Sequence, residues 1–392
     1  MLRYAAAAGE GSALAVYLAS QRETLLKIYE GRPYVLCTYY IPSALTALID
    51  AEVLYIDRIV GLCAGARLIP RNSDGLPSDR TCSYQQAFFS LIESGLLPKP
   101  SAEAATEYPC TGAVELCKAL HRKYGIPLYT VSGNPSAEEL RGLGEWLLHR
   151  YGQRQGLSET AGFYNRALGL KRDIDRRRLR KPGILPGGLC LKLFCVENDL
   201  GRPSALHVMQ ALNHEAHDRM RGHVCGDNRL FWMGLVPLYD NNLLRRLERK
   251  TGCSFVFEEM WMFGGGQISV STFYEDLART ITENIFYHQA RREERILAVI
   301  RQSGAGAAVN FLQRRCSFLP RTAAGMRRRL ETAGIPVIHA AADVVSGTFD
   351  EKPLLRFIDK CGRIRVGETE EEHRNDAAES MRNIFRDSYP SV

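Results

Sequence analysis

Residues 309–343 read VNFLQRRCSFLPRTAAGMRRRLETAGIPVIHAAAD, and this stretch decides the fold class. Residues 309–312 (VNFL) are a short apolar run that opens on a β-branched valine, the composition of a buried strand. Residues 322–333 place Met326 and Leu330 four apart with arginines between them, which predicts a helix with one apolar stripe. Gly334 supplies the stop that helices favour, and residues 335–338 (IPVI) predict a second strand. Strand, helix of about three turns and strand make one βαβ unit, the building block of a parallel sheet. Cys316 falls on the loop leaving the first strand, the carboxyl-end position where open α/β sheets bind ligands.

An earlier passage repeats the pattern. Cys110 precedes a helix predicted over residues 113–124, Gly125 closes it, and residues 126–131 (IPLYTV) form a strand. Cys110 with Gly125, Ile126 and Pro127 thus parallels Cys316 with Gly334, Ile335 and Pro336. The chain is read as α/β, with two topologically similar parallel-sheet halves. Each half presents a cysteine at a helix N-terminus, where unpaired backbone N–H groups and the helix dipole favour thiolate. Cys82 shares this setting, between the polar loop 71–80 and a helix over 84–93.

The remaining chain fits around these halves. Residues 1–30 predict an amphipathic helix, and residues 31–136 the first α/β domain, opening on the strand YVLC at 34–37. Pro42 is expected to start a helix running to about residue 51, with a strand or continuing helix over 55–60. Residues 137–227 are a mainly helical insert, with helices over 138–152, 159–180 and 204–221 and a Pro/Gly break at 181–188. Residues 228–392 form the second α/β domain, with strands at 228–237 and 253–258, a glycine loop at Gly264, Gly265 and Gly266, and one long helix over 273–290.

The totals set limits. At 392 residues, 45% hydrophobic and 24% charged, the chain has the composition of a globular protein of two or three domains. It has no apolar run near the length of a membrane span, and its N-terminus lacks the layout of a signal peptide, so a cytoplasmic location is expected. The net charge of +7 comes without an RNA-binding aromatic signature, a zinc finger or one long basic face, and suits phosphorylated small molecules rather than nucleic acid. Eleven cysteines, odd in number and irregular in spacing, argue against a secreted disulfide framework. Cys37, Cys63, Cys117 and Cys361 lie in apolar or helical settings and read as core thiols. His214, His217, His223 and Cys225 lack the zincin spacing and read as solvated or capping groups. The basic runs at 176–180 and 327–329 read as solvated helix faces, and the glycine loop lacks a phosphate-loop motif. A three-cysteine site drawn from distant loops suits an iron–sulfur cubane with its fourth iron open.

Taken in order, these segments resemble the 2-hydroxyacyl-CoA dehydratase/benzoyl-CoA reductase family. Tyr39, Tyr40, Ile41 and Pro42 are similar to its aromatic-x-Pro entry, and Cys82-Ser83-Tyr84 to its first cluster cysteine. Tyr108-Pro109-Cys110 resembles the second, and Arg315-Cys316 through Gly334-Ile335-Pro336 and Asp343 the third. Phe163, Tyr164, Asn165 and Arg166 leading to Lys181-Pro182 resemble its central helix, and residues 229–234 (RLFWMG) the strand that opens its last domain. The resemblance implies two Rossmann- or flavodoxin-like halves with a helical insert, and a 4Fe–4S cluster held by Cys82, Cys110 and Cys316. It implies a paired cluster subunit, in a homo- or heterodimer, an ATP-dependent iron–sulfur activator protein that injects low-potential electrons, and an acyl-CoA substrate. In the dehydratases of the family one electron turns a thioester carbonyl into a ketyl radical that expels the neighbouring hydroxyl, a lyase reaction.

One departure is visible. Members that bind the substrate hydroxyl commonly carry a carboxylate just after the entry proline, and here Pro42 is followed by Ser43, Ala44 and Leu45. No catalytic residue is assigned. Beside the dehydratase or reductase subunit stand two alternatives: a double cubane reducing small molecules, with Cys37, Cys63 or Cys117 as added ligands, and a non-catalytic electron-relay subunit.

Overall fold

The computed structural model describes residues 12–70, 76, 81–220, 225–240, 242–262, 265–314, 316 and 318–364. Most of the loop 71–80, together with His223, Gly264, Arg315 and the acidic tail from Gly367, lies outside the described residues.

Helix α1 (Ser12–Tyr29) leads into β1 (Tyr34–Cys37), α2 (Ser43–Ala47), β2 (Glu52–Tyr55), α3 (Ile56–Gly65), α4 (Ser83–Glu93), β3 (Ala102–Thr106), α5 (Thr111–Tyr124) and β4 (Leu128–Val131). The four strands pair in the order β2-β1-β3-β4, all parallel. Helices cover both faces, so β1, β2 and β3 are buried at every position, as parallel strands packed on two sides must be. The insert follows as α6 (Ala137–Tyr151), α7 (Leu157–Arg180), α8 (Leu189–Leu193), a 3₁₀ turn (Phe194–Asp199) and α9 (Pro203–Arg219). The second half then runs β5 (Arg229–Gly234), α10 (Leu243–Thr251), β6 (Ser254–Glu258), α11 (Phe273–Thr282), α12 (Gln289–Ser303), β7 (Ala307–Gln313), α13 (Leu319–Thr332), β8 (Val337–Ala342) and α14 (Lys352–Ile364). Its strand order, β6-β5-β7-β8, repeats that of the first half.

In each sheet the direction of winding reverses between the first and third strands, β1 and β3 or β5 and β7, and ligands gather at the carboxyl ends of such a switch point. In the first half Thr38 and Thr106 tie this point together. The Thr106 amide donates to Thr38 Oγ1 (3.0 Å), and the two hydroxyls stand 3.2 Å apart. In the second half Gly234 ends β5 at a φ of +76°, where a Cβ would strike the Phe311 carbonyl of the next strand. The Gly234 amide donates to Glu259 at 3.0 Å.

Several expectations are corrected. Pro42 sits at φ −61° and ψ 124°, before the helix and not within it. That helix stops at Ala47 because the chain turns to meet residues 152–154: the Asp50 amide donates to the Gly152 carbonyl (3.1 Å), and Ile49 bridges Gln153. The long helix expected over 273–290 is two helices, α11 and α12. Asn284 breaks it by accepting the Phe286 amide on its side chain (3.0 Å), a bond that competes with helix continuation. The basic run at 176–180 is not uniformly solvated, since Arg178 is 1% exposed and paired with the fully buried Glu258 at 2.6 Å.

Candidate functional site

Three loops deliver the three predicted cysteines to one place. Cys82 is the residue before α4, and Cys110 the residue before α5. Cys316 turns back after β7, where its amide donates to the Gln313 carbonyl (3.2 Å) and its sulfur accepts the Leu319 amide (3.4 Å). All three are half-buried free thiols. Gln85, on the first turn of α4, spans two of them: its Oε1 accepts from Cys82 Sγ, and its Nε2 donates to Cys110 Sγ at 3.5 Å. Gln313 fastens the third loop, donating to Ser83 Oγ (2.9 Å) and accepting the Val344 amide (2.7 Å).

An aromatic clamp closes the far side. Tyr108, two residues before Cys110, packs edge-to-face on Tyr287 at 4.8 Å and on Phe318 at 6.2 Å. Its hydroxyl donates to the Phe286 carbonyl (3.3 Å), and the Tyr287 hydroxyl donates to the Tyr108 carbonyl (3.1 Å). The loop of the first half is thus held to that of the second by rings and by two hydrogen bonds.

The electrostatics report the same meeting. Burial pushes the Cys82 thiol up to about 12, with Cys316 and Asp343 raising it further and the Tyr84 and Gln85 backbone N–H groups opposing. Cys110 is raised by burial, then by Cys82, Cys316 and Asp57, against the Ala113 N–H. Helix N-termini were expected to favour thiolate, but burial and mutual repulsion prevail at Cys82 and Cys110. Three thiols in Coulombic reach of one another ionise together only around positive charge.

That donor set fits an iron–sulfur cluster. Soft thiolates select such groups, and N–H groups aimed at the sulfurs stabilise their charge. Among the described residues no three His, Cys, Asp or Glu side chains are grouped around a single metal ion. A cubane asks for less crowding, since each thiolate takes a different iron.

A family model described as 2-hydroxyglutaryl-CoA dehydratase, D-component, matches residues 38–354. The chain belongs to this family. The match covers every strand but β1, residues 137–227 and the positions of Cys82, Cys110 and Cys316. No curated protein matches the chain.

The other motifs fall away from this centre. His214 is exposed and pairs with Asp218 at 3.3 Å, and His217 meets Arg177 at 3.0 Å. His223 lies outside the described residues. Arg327 pairs with Glu331 at the surface (2.7 Å). Cys37 and Cys117 are fully buried core thiols and Cys361 is nearly so, while Cys63 is half-buried near Tyr29. Among the described residues no helix is long and apolar enough to cross a membrane.

Sequence reading missed Gln85, Gln313 and Asp57. Asp57, on the first turn of α3, is pushed up to about 6 by burial, and its backbone carbonyl accepts the Tyr84 hydroxyl. Neither glutamine belongs to a motif. Asp57 carries only the ordinary mark of an acidic residue at a helix start.

Proposed function

We propose that the chain is the cluster-bearing subunit of a 2-hydroxyacyl-CoA dehydratase or related reductase, with Cys82, Cys110 and Cys316 holding a 4Fe–4S cluster. The observation that carries this reading is the convergence of three cysteine loops from two parallel sheets, cross-tied by Gln85 and Gln313. When bound, the cluster supplies low-potential electrons and a Lewis-acidic open iron. The residues of the chain do the rest. Gln85 fixes the spacing of two thiols, the backbone N–H groups of Tyr84, Gln85, Ala113 and Leu319 offset sulfur charge, and the Tyr108–Tyr287–Phe318 clamp keeps water from the far side. The reading brings with it an ATP-dependent iron–sulfur activator protein, a paired cluster subunit and an acyl-CoA substrate.

The double-cubane alternative loses support at two of its three added ligands. Cys37 and Cys117 have no exposed surface and pack inside the two cores. Ser43, in the place of the usual carboxylate, is itself buried at the start of α2.

Iron and acid-labile sulfide in anaerobically purified protein test the reading. We expect about four irons per chain, lost or made labile in Cys316→Ala, with Cys253→Ala as a control that retains them. About eight irons would favour the double cubane instead. Absence of iron after reconstitution would remove the cluster and the thioester chemistry with it.

A further inference from the structure

A group of buried polar side chains adjoins the cysteine site on the side of residues 39–43. There a pocket of about 70 Å³ lies between those residues, the 3₁₀ turn Phe194–Asp199 and α11. Three of its lining side chains carry a buried polar atom with no hydrogen-bond partner among the described residues: Glu197 Oε1, Asn198 Nδ2 and Thr280 Oγ1. A buried water needs roughly 10–15 Å³ and two to four polar neighbours. The pocket has the room and the groups to hold more than one.

Glu197 shares one buried cation with a second carboxylate. Lys171, 1% exposed, lies 3.2 Å from Asp175 and 3.7 Å from Glu197. Asp175 also accepts the Trp261 indole N–H at 2.6 Å, so it is the better served of the two and carries the negative charge. Glu197 keeps its proton. Burial pushes it up to about 8, with Asp175 adding to the rise and Lys171 and Arg295 opposing it. Tyr39 and Cys195 face it as well.

Two tyrosines lead from Glu197 towards the thiols. After burial, Glu197 is the main influence raising Tyr39, and Tyr40 acts on Tyr39 in turn. Tyr40 lines the same pocket, packs edge-to-face on the clamp residue Tyr287 at 5.6 Å, and is in electrostatic reach of Cys110. A phenol hydroxyl both donates and accepts, so it can hand on one proton while taking up another.

We propose that Glu197 supplies protons to the chemistry at the cysteine site, through this pocket and the Tyr40 hydroxyl. The inference rests on the subunit reading above and adds the proton source which that reading leaves open. In a dehydration the proton joins the expelled hydroxide to give water. In a reduction it goes to the carbon that the activator's electrons have reduced. Either way the carboxylate left behind stays beside Lys171 until solvent returns a proton.

An infrared pH titration of the full anaerobic chain tests whether Glu197 holds the proton, and turnover with activator and ATP tests its use. In the parent we expect a protonated-carboxyl band that is lost as pH rises through about 8. Glu197→Gln, which copies the shape of the protonated acid, lacks that band, whereas Tyr40→Phe retains it. The turnover probes are 2-hydroxyhexanoyl-CoA, 2-hydroxyglutaryl-CoA and benzoyl-CoA. With whichever is turned over, Glu197→Gln is expected to lose about a hundredfold in kcat and Tyr40→Phe about tenfold, both keeping their iron. The parent's kcat falls as pH rises through the same titration; this fall disappears in Glu197→Gln and returns in part in Glu197→Asp. A band that survives Glu197→Gln, or a Gln variant with the parent's rate and pH profile, overturns the proposal. Absence of turnover in the parent, with its iron in place, removes the subunit reading and this inference with it. That result is distinct from a working parent matched by its variant.

Discussion

Glu103 lies on the middle of β3, between Leu36 and Leu128 of the neighbouring strands, with no exposed surface. Neither carboxyl oxygen has a hydrogen-bond partner among the described residues, and burial raises its pKa from 4.5 to about 9. Between those values the folded chain holds a proton that the unfolded chain has released, so stability falls as pH rises through the window. Glu103→Gln is expected to remove one proton's worth of that slope, about 1.4 kcal/mol per pH unit. Denaturant unfolding of both proteins at two pH values inside the window measures it, and parallel slopes would refute the assignment. Asp57 has the same sign over the narrower range from 3.8 to about 6. Its contribution to acid-side stability therefore fades before neutrality is reached.

At the scale of elements, buried ion pairs seat helices on the second sheet. Arg178 of α7 meets Glu258 at the end of β6 and lies over the Phe257 ring at 4.3 Å. Arg292 of α12 meets Glu259 at 2.5 Å. Removing one partner strands a charge, so Arg178→Ala is expected to cost about 3–5 kcal/mol, whereas Arg178→Met with Glu258→Leu costs far less. Urea unfolding of the single and double variants separates the two, and equal losses would show that packing, not charge, is the main effect. This pair also shows where the sequence stops being readable. The unit β7–α13–β8 and the caps Gly125 and Gly334 announce themselves locally, through period and φ preference. In sequence Arg178 looks like its neighbours, exposed Arg176 and half-buried Arg177, because its burial depends on a strand some eighty residues away. The shared setting of Cys82, Cys110 and Cys316 beside helix starts was legible through repeated context. Gln313 and Asp57 were not, since their partners Ser83 and Tyr84 come from distant segments.

Across the whole molecule, the halves meet through the clamp at the cysteine loops. Tyr287→Phe deletes one hydrogen bond and keeps the ring, a loss of about 1 kcal/mol. Tyr287→Ala removes the wall between the loops. In the cluster-free chain we expect Tyr287→Ala to accelerate alkylation of Cys110 about tenfold or more and Tyr287→Phe only slightly. Unchanged labelling in the alanine variant would show that the loops hold together without the clamp. The shared strand order carries one further consequence. Cys110 and Cys316 follow matching strands, β3 and β7, and so occupy corresponding stations of a plan used twice. Cys82 opens the helix before β3, but its counterpart before β7 opens on His288 and Gln289. A faithful duplicate would supply ligands in even numbers and seal whatever they enclosed. The imperfect copy is one cysteine short, and in the proposed cluster that shortfall is the vacancy through which a substrate gains entry.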